Sequence, residues 1–402
     1  MKVDEQKIEE VLTRGVEEVI GLEHLRESLR SGKQLRIKLG IDPTSPNLHI
    51  GRAIPLLKLR DFQELGHKIV LIIGDFTGVI GDTSDKDSER PMLDQKTVKE
   101  NMKTYVKQAG KIINIKKCEV RHNSEWLKKL DYYEIGRQAD NFSLSEFIAR
   151  ENIKKRLEQG RRISLRELMY PLMQGYDSVA IKANVEIGGT DQRFNLLAGR
   201  ELQKYYKQEP QDIVTNPLIE GLDGRKMSSS WENTINLLDP PNEMFGKVMS
   251  LKDEFIIKYF ILVTRLNKDE IKRYEADLAN GKNPRDYKAK LAKEIVKLYH
   301  GEKEAGKAEL EFNKVFRDKE LPSDVPVFET GKRNYSILDL LCDSKLAFSK
   351  NEAKRLVEGS AVTLKIGETE NKITNWKESV NLQEGMVIKV GNRRFVKIKL
   401  KI

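Results

Sequence analysis

The chain has 402 residues, of which 39% are apolar and 33% are charged. This length and composition fit a soluble globular protein of two or three domains. The sequence contains no apolar run near the length of a membrane span. The net charge of +10, from 72 Lys and Arg against 62 Asp and Glu, permits an acidic partner without requiring one, because lysine-rich solvated surfaces give the same count. The N-terminus does not resemble a signal peptide, and Cys118 and Cys342 form no metal-ligand pattern, so we expect a cytoplasmic protein with no structural metal and no membrane partner.

The first elements predict a parallel sheet. Residues 4–31 carry apolar residues at the spacing of one or two amphipathic helices. Residues 35–39 alternate like a strand, an apolar pattern at helical spacing begins at Ala53, and residues 68–74 form a nearly continuous apolar run typical of a strand buried on both faces. Strand, helix and strand in succession predict a βαβ unit with a right-handed crossover. Ligands of such sheets bind beyond the carboxyl ends of the strands, which places residues 40–51 and 75–82 on one rim.

The turn between the first strand and its helix reads G-I-D-P-T-S-P-N-L-H-I-G-R over residues 40–52. Its Asp, Pro, Ser and Asn residues supply turn chemistry. His49 and Gly51 fall where helical N–H groups are unpaired and the helix dipole favours an anion such as phosphate. The His49 imidazole could donate to an oxygen that gains charge, and Gly51 has no side chain to block a flat ring. A single histidine at a helix start is more often a surface or capping residue.

The chain continues as alternating helices and strands. Residues 94–111 and 132–159 read as helices, and residues 118–122 as a short strand. A strand at residues 184–187 precedes a helix from Arg193, and residues 213–219 give the last strand of this region. Residues 242–316 are helical and charged with no clear strand, and the prolines within residues 321–326 indicate a linker.

The last part of the chain, residues 333–402, has a different character. Residues 336–341 and 349–358 read as helices. Strands follow at residues 362–366, 386–390 and 394–400, with an edge strand expected near Ile373. Its 14 Lys and Arg against 8 Asp and Glu give +6, which is more than half of the net charge of the whole chain.

Polar residues in three further stretches could bind a nucleotide or an amino acid. Tyr170, Gln174 and Asp177 are spaced i, i+4 and i+7, which places them on one face of a helix. Gly189 and Asp191 lie in a second turn, where a short carboxylate can accept from a ribose hydroxyl. The stretch K-M-S-S-S at residues 226–230 follows a glycine-rich turn suited to a mobile loop. The chain has no G-x-x-x-x-G-K-S/T phosphate loop, which disfavours a P-loop ATPase.

These motifs resemble those of a known enzyme family. H-I-G at residues 49–51 followed by K-M-S-S-S at residues 226–230 resembles the signature of the class I aminoacyl-tRNA synthetases. Y-P-L-M-Q-G-Y-D-S at residues 170–178 and G-G-T-D-Q-R-F-N at residues 188–195 resemble the tyrosyl-tRNA synthetases most closely. Residues 349–359 and 390–395 resemble an S4-type RNA-binding module. The resemblance covers nearly the whole chain.

The resemblance implies an α/β fold in three parts. Residues 1–241 would form a Rossmann-like parallel-sheet catalytic domain with a helical insertion. Residues 242–332 would form an α-helical domain with a linker, and residues 333–402 a small α+β S4-like RNA-binding domain. The implied reaction activates L-tyrosine with ATP to tyrosyl-adenylate and pyrophosphate, then transfers tyrosine to the 3′ end of tRNA(Tyr). ATP would be a substrate with Mg²⁺, and a homodimer is expected.

The resemblance also assigns site residues. Negative charge builds on the phosphates during activation, so the site needs fixed donors and cations rather than a covalent nucleophile. The implied catalytic residues are His49, Arg52, Lys226 and Ser229. The implied ATP-binding residues are Gly40, Asp42, Thr44, His49, Gly51, Lys86, Arg90, Gly189, Asp191, Lys226, Met227 and Ser228. The implied tyrosine-binding residues are Asp82, Tyr170, Gln174, Asp177 and Gln192, with Asp177 accepting from the phenol. The implied tRNA-binding residues are Ser349, Lys350, Lys354, Arg355, Arg393 and Arg394.

The sequence departs from the family pattern at three positions. Arg52 replaces the second histidine of H-I-G-H, and Ser229 replaces the second lysine of K-M-S-K-S. Lys86, Arg90, Arg52 or a bound metal ion could supply the missing charge. Many family members carry a tyrosine two residues before Gly40 that makes a second bond to the substrate phenol. Lys38 stands there, so Asp177 would read the hydroxyl with another partner.

Two alternatives remain open from the sequence. The tryptophan enzyme of the same subclass is disfavoured by Asp177, because an indole offers no phenol to this carboxylate. An RNA-binding S4 protein with a vestigial nucleotide site is kept open by Arg52 and Ser229.

Overall fold

The structure is a computed structural model that describes residues 4–83, 92–316, 325–367, 369–391 and 394–401. Two compact units divide the chain, residues 1–308 and residues 309–402. The helices up to residue 316 are α1 (Glu5–Thr13), α2 (Leu22–Arg30), α3 (Ile50–Glu64), α4 (Thr77–Ile80), α5 (Gln95–Ala109), α6 (Ser124–Leu127), α7 (Tyr132–Ala139), α8 (Leu144–Ile148), α9 (Glu151–Glu158), α10 (Leu165–Ile181), α11 (Arg193–Tyr205), α12 (Pro241–Met249), α13 (Ile256–Val263), α14 (Lys268–Ala279), α15 (Pro284–His300) and α16 (Glu302–Phe316).

The strands of the first unit form one six-stranded sheet. They are β1 (Glu18–Ile20), β2 (Arg36–Ile41), β3 (Lys68–Ile73), β4 (Glu119–His122), β5 (Val185–Gly189) and β6 (Asp212–Asn216). Their order across the sheet is β1-β6-β5-β2-β3-β4, and the edge pair β1–β6 is antiparallel whereas the other pairs are parallel. The predicted parallel sheet is therefore confirmed. Strand β1 was not predicted, because three residues between two helices are too few to show an alternating pattern.

The central strand β2 pairs unequally with its two neighbours. It pairs with β3 along its whole length, from Arg36 beside Lys68 to Ile41 beside Ile73. With β5 it pairs at two positions only, one of which places Lys38 beside Glu186. Beyond this rung the described residues of β2 and β5 do not pair, so the two strands leave a space between their carboxyl ends.

Local chemistry corrects two sequence predictions. The single helix expected over residues 132–159 is three helices, because Ser143 starts α8 in a capping box with Glu146 and interrupts the pattern. The strand expected over residues 213–219 ends at Asn216, because Pro217 has no N–H to donate to a neighbouring strand.

Helices α12 to α15, with the first part of α16, belong to the same compact unit as the sheet. In this unit α12 packs on α15, and α13 packs on α3, which follows the turn after β2. The buried Arg14 guanidinium at the end of α1 donates to the carbonyls of Thr264 and Leu266, both at 2.8 Å, and so ties α1 to the chain after α13. The all-helical prediction for residues 242–316 is confirmed.

The second unit is a small α+β fold. Its helices and strands are β7 (Val327–Thr330), β8 (Asn334–Ser336), α17 (Ile337–Asp343), α18 (Lys350–Glu358), β9 (Val362–Ile366), β10 (Thr369–Ile373), β11 (Ser379–Asn381), β12 (Val387–Val390) and β13 (Arg394–Leu400). The main sheet has the order β10-β9-β12-β13-β7, and β11 pairs with β8. The edge position expected near Ile373 is confirmed, whereas the short strands β7, β8 and β11 were not predicted. Strand β7 runs parallel to β13 and lies before residue 333.

No helix among the described residues combines the length and the apolar character needed to cross a membrane.

Candidate active site

A cavity of about 460 Å³ lies at the carboxyl ends of β2, β3, β5 and β6. Asp82 and predicted site residues from four separate motifs line it together; the latter are Gly40, Asp42, Thr44, His49, Gly51, Arg52, Tyr170, Gln174, Asp177, Gly189, Asp191, Gln192, Lys226, Met227, Ser228 and Ser229. Lys86 and Arg90 lie outside the described residues. The structure thus brings every described residue predicted for ATP or tyrosine to one place.

The carboxylate of Asp42 joins three elements around the cavity. It accepts from the Thr77 hydroxyl at 2.7 Å and from the Tyr170 hydroxyl at 2.8 Å. Burial, together with the negative charges of Asp42 and Asp82, raises the pKa of Tyr170 well above its usual value, so Tyr170 remains a donor. Gly74 leaves room for this carboxylate, because an added Cβ would lie 2.0 Å from Asp42 Oδ1.

Arg52 holds the turn after β2 in place. Its guanidinium donates to the Thr44 hydroxyl at 3.0 Å, to the backbone carbonyl of Asp42 at 3.4 Å and to the Tyr105 hydroxyl of α5 at 3.1 Å. Arg52 lines the cavity, but these contacts occupy much of its donor capacity within the protein itself.

His49 is the N-cap residue of α3 and is buried. The first helical N–H, that of Ile50, donates to the carbonyl of Ile235 at 2.9 Å. His49 itself forms an isolated bridge with Asn236. The sequence predicted unpaired N–H groups at the start of α3. This prediction is wrong at Ile50, because the chain that follows the K-M-S-S-S loop provides an acceptor for its N–H.

Lys226 reaches across the cavity to Asp191. Its ammonium group lies 2.7 Å from Asp191 Oδ2, and its side chain is 28% exposed. The carboxylate expected to accept from a ribose hydroxyl therefore has a cation beside it. Met227 is buried behind Lys226, and its N–H donates to the Ile219 carbonyl at 2.8 Å.

Asn233 fixes the loop that carries Lys226. Its side-chain oxygen accepts from the Ser228 N–H at 2.9 Å, and its nitrogen donates to Asp223 at 2.7 Å and to the Lys226 carbonyl at 3.1 Å. Asn233 was not predicted from the sequence, because an asparagine after a loop carries no signal of these contacts.

Asp177 is the most enclosed carboxylate of the cavity, with 3% of the residue exposed. It accepts from Trp126 Nε1 at 2.7 Å and lies 3.4 Å from Asn123 Nδ2. Burial raises the pKa of Asp177 to about 7, although Lys38, Trp126 and Asn123 act in the opposite direction. Asn123 lines the cavity beside Asp177. Neither Asn123 nor Trp126 was predicted as a site residue, because they follow the short strand β4 and carry no recognisable motif.

A chain of side-chain amides connects the other predicted tyrosine-binding residues. Asn195 donates to the oxygens of Gln174, at 3.1 Å, and of Gln192, at 3.0 Å. Gln192 in turn donates to Asp82 at 2.6 Å. Asn195 was not predicted as a site residue. The helix predicted from Arg193 already placed Asn195 in its first turn, close to Gln192, and this was the available signal.

Lys38 lies beneath the cavity rather than in it. Its ammonium group lies 2.9 Å from Glu186 and donates to the Ser178 hydroxyl at 2.7 Å and to the Gln174 backbone carbonyl at 2.8 Å. All three of its N–H donors therefore have protein partners. Lys38 therefore does not take the place of the tyrosine that, in many family members, makes a second bond to the substrate phenol.

In the second unit, the predicted tRNA-binding residues differ in their surroundings. Ser349 caps α18 by accepting from the Glu352 N–H, and Arg394 is held by Glu352 at 2.9 Å. Lys350 pairs with Asp339 at 2.7 Å, Lys354 lies over the Trp376 ring at 4.5 Å, and Arg355 is exposed. Arg393 lies outside the described residues. Beside Ser349, Phe348 is 95% exposed and was not predicted.

Comparison with known proteins gives a family and a fold. The family model of class I tRNA synthetases (W and Y) matches residues 30–317. The tyrosine–tRNA ligase of Thermotoga maritima is 46% identical over 390 residues, 96% of this chain and 96% of that protein. The tyrosine–tRNA ligase of Idiomarina loihiensis is 44% identical over 97% of both chains.

Solved structures share the fold of this chain. A C-terminally truncated mitochondrial tyrosyl-tRNA synthetase of Aspergillus nidulans aligns with a TM-score of 0.65 at 23% identity, over 77% of this chain and 94% of that one. The tyrosyl-tRNA synthetase of Archaeoglobus fulgidus, complexed with L-tyrosine, aligns with a TM-score of 0.61 at 23% identity, over 76% of this chain and 99% of that one.

Proposed function

Since this chain belongs to the tyrosine–tRNA ligases of the class I tRNA synthetases, we propose that the cavity beyond β2 and β5 is where it activates tyrosine. The chain is an ATP-dependent aminoacyl-tRNA ligase that charges tRNA with tyrosine. The observation that carries the proposal is the convergence of four sequence motifs on one cavity of about 460 Å³. The chain's membership of the tyrosine–tRNA ligases disfavours the vestigial-site alternative.

The proposed reaction has two steps. The tyrosine carboxylate attacks the α-phosphorus of ATP, a new P–O bond forms, and the bond to the β-phosphate breaks as pyrophosphate leaves with its electrons. A ribose hydroxyl at the 3′ end of tRNA then attacks the tyrosyl carbonyl. An ester C–O bond forms, the C–O bond between carbonyl and phosphate breaks, AMP leaves with the electron pair, and the hydroxyl proton is released. Both steps move charge onto phosphate oxygens, so fixed donors and cations supply the catalysis.

We assign the phosphate end of the cavity to His49 and Lys226. Both line the cavity, and they come from the two motifs on either side of the nucleotide position. Lys226 would exchange its contact with Asp191 for the phosphates as ATP enters. Arg52 acts mainly through the turn that it holds, so Lys86, Arg90 or a metal ion would supply the charge absent at Ser229.

Mg²⁺ would accompany ATP. The cavity carboxylates Asp42 and Asp191 already have protein donors beside them, which suits an ion held chiefly by phosphate oxygens and water. The ion would neutralise phosphate charge, and the residues described above would orient the two substrates.

We assign the amino-acid end to the polar face of α10 and its neighbours. Tyr170, Gln174, Asp82 and Gln192 would bind the α-ammonium group, and Asp177 would accept from the phenol. Phenylalanine offers no donor to a buried carboxylate, so Asp177 would exclude it. An indole offers an N–H but no phenol hydroxyl, and Asp177 already accepts from the indole N–H of Trp126 at 2.7 Å.

The second unit is proposed to bind tRNA(Tyr). Its support is the excess of +6 in residues 333–402 and two exposed side chains, Phe348 just before the start of α18 and Arg355 near its end. Basic side chains meet phosphates, and an exposed aromatic ring offers a surface for base stacking.

We also propose a cytoplasmic homodimer. Large apolar side chains are exposed in the stretch from α7 to the start of α10, namely Tyr132, Tyr133, Leu144 and Leu165. An interface between two copies would cover such residues. The two cysteines are free, as in proteins of a reducing compartment.

The purified chain is expected to exchange labelled pyrophosphate into ATP when L-tyrosine is present. Tryptophan and phenylalanine should support little exchange, because neither offers a phenol to Asp177. Absence of exchange with tyrosine, or stronger exchange with tryptophan, would contradict the proposed function.

The variant Lys226→Ala is expected to lower kcat of activation by about 100-fold or more, while the KM for tyrosine changes only a few-fold. The physical reason is that Lys226 meets charge that grows in the transition state. Lys258→Ala is the matched control, because Lys258 pairs with Glu220 at 2.8 Å beside the same loop and does not line the cavity. Equal losses of kcat and tyrosine binding in Lys226→Ala would refute this role.

The preference for tyrosine over phenylalanine is expected to rise as pH increases through about 7. Asp177 has a raised pKa of about 7, so it is largely neutral below that pH and becomes the ionised acceptor of the phenol above it. The measurement is the pH profile of kcat/KM for each amino acid, which reports groups of the free enzyme. Asp177→Asn should remove the inflection, and an unchanged inflection in this variant would assign it to another group.

A chain ending at Phe316 is expected to keep pyrophosphate exchange and to charge tRNA poorly. The reason is that every described cavity residue precedes residue 231, whereas the cut removes the basic second sheet. The slope of log affinity against log salt should flatten by roughly 0.7–0.9 for each phosphate group that the shortened protein no longer neutralises. In the full chain, Arg355→Ala should flatten this slope by less than one unit and leave exchange unchanged. Equal tRNA affinity, salt slope and charging in the truncated and full chains would exclude the second unit as an RNA-binding part.

A further inference from the structure

A buried ion pair lies at the last rung that joins β2 to β5. Lys38 and Glu186 are register partners in these parallel strands, and Lys38 Nζ lies 2.9 Å from Glu186 Oε1. Their side chains are 0% and 1% exposed, and neither residue lines the cavity. Both therefore sit directly beneath the point where the strands separate.

Stability alone is a weak reason for such a pair. Removing two charges from water costs free energy, and well-packed apolar residues often replace a buried ion pair without loss of stability. The contacts of Glu186 extend to other side chains instead. Its Oε1 accepts from Lys38 and from Gln174 Nε2, and its Oε2 accepts from the Ser178 hydroxyl and from Gln211.

Gln174 is the cavity residue that both members of this pair contact. Ionised Glu186 only accepts hydrogen bonds, so the Gln174 amide turns its nitrogen toward Glu186, at 3.1 Å. The amide oxygen is then the atom that Gln174 can offer to an N–H donor in the cavity. Lys38 also holds the backbone carbonyl of Gln174, at 2.8 Å, and Asn195 supports the amide oxygen from the other side, at 3.1 Å.

We propose that the Lys38–Glu186 pair is a positioning device that presents the Gln174 amide oxygen to the α-ammonium group of tyrosine. The pair would thereby make the enzyme select an amino acid over the corresponding acid that lacks the amino group. This inference rests on the proposed role of Gln174 in tyrosine binding. Lys38 and Glu186 act through Gln174 and touch no substrate.

The test compares two ligands that differ only in the amino group. Dissociation constants for L-tyrosine and for 3-(4-hydroxyphenyl)propionate are measured with the unmodified chain and with the variant Glu186→Gln. The glutamine introduced can donate to Gln174, which frees the Gln174 amide to turn over. Tyrosine binding should weaken by about tenfold to 100-fold, while binding of the propionate and the KM for ATP change less than about twofold.

A second variant removes the pair without leaving a buried charge. Lys38→Met combined with Glu186→Leu deletes the acceptor for Gln174 and fills the space with apolar side chains. It should show the same selective loss of tyrosine binding. The control is Asp61→Asn, which alters another enclosed ion cluster, with Arg265 at 3.0 Å and Lys58 at 3.4 Å, outside the cavity. Asp61→Asn should lower the melting temperature without changing the ratio of the two dissociation constants.

Two results would overturn the inference. Equal weakening of both ligands would mean that the pair only maintains the general shape of the pocket, and unchanged tyrosine binding in the folded double variant would mean that Gln174 is oriented without it. Failure of the proposed function is distinguishable, because the unmodified chain would then show no tyrosine-dependent pyrophosphate exchange.

Discussion

The early end of pairing between β2 and β5 is the constraint on which the site depends. Parallel strands present their carboxyl ends at one edge of a sheet, and a cavity forms there only where two neighbouring strands separate. The last shared rung is Lys38 beside Glu186. Beyond it, residues 39–41 and 187–189 form facing walls of the cavity instead of a continued ladder. The buried ion pair thus marks the boundary between the closed sheet and the open site.

The charged groups around the cavity are already held by protein partners. Asp42 is held by Tyr170, Asp82 by Gln192, and Asp191 by Lys226. Groups oriented in this way need little rearrangement when charge develops on a substrate, which is the basis of electrostatic catalysis. Substrate binding at the proposed site would therefore exchange hydrogen-bond partners rather than order loose side chains.

The sequence predicted the elements with regular patterns and missed the contacts between distant elements. The face formed by Tyr170, Gln174 and Asp177 follows from helical spacing, and all three residues line the cavity. Trp126 and Asn233 have no pattern of their own, because their roles depend on partners that only the folded chain brings near. Lys38 is a charged residue in an alternating strand, a position that usually faces water, and only the register with β5 shows why it is buried. Strand β7 was missed because its four residues pair with the end of the chain.

The two ends of the cavity differ in exposure, and this difference suits their two tasks. At the proposed amino-acid end Asp177 is 3% exposed, so a ligand that offers it no donor leaves a desolvated carboxylate with fewer hydrogen bonds than tyrosine would give it. At the proposed phosphate end the Lys226 side chain is 28% exposed and sits on a loop that Asn233 holds, so its ammonium group is open to solvent and to a ligand. Arg52 takes no direct part in either task, because its N–H groups donate to the turn after β2 and to α5. The arginine at the fourth position of the H-I-G motif therefore belongs to the scaffold of the turn after β2, and in the proposed mechanism Lys226 is the described cation that meets the phosphates.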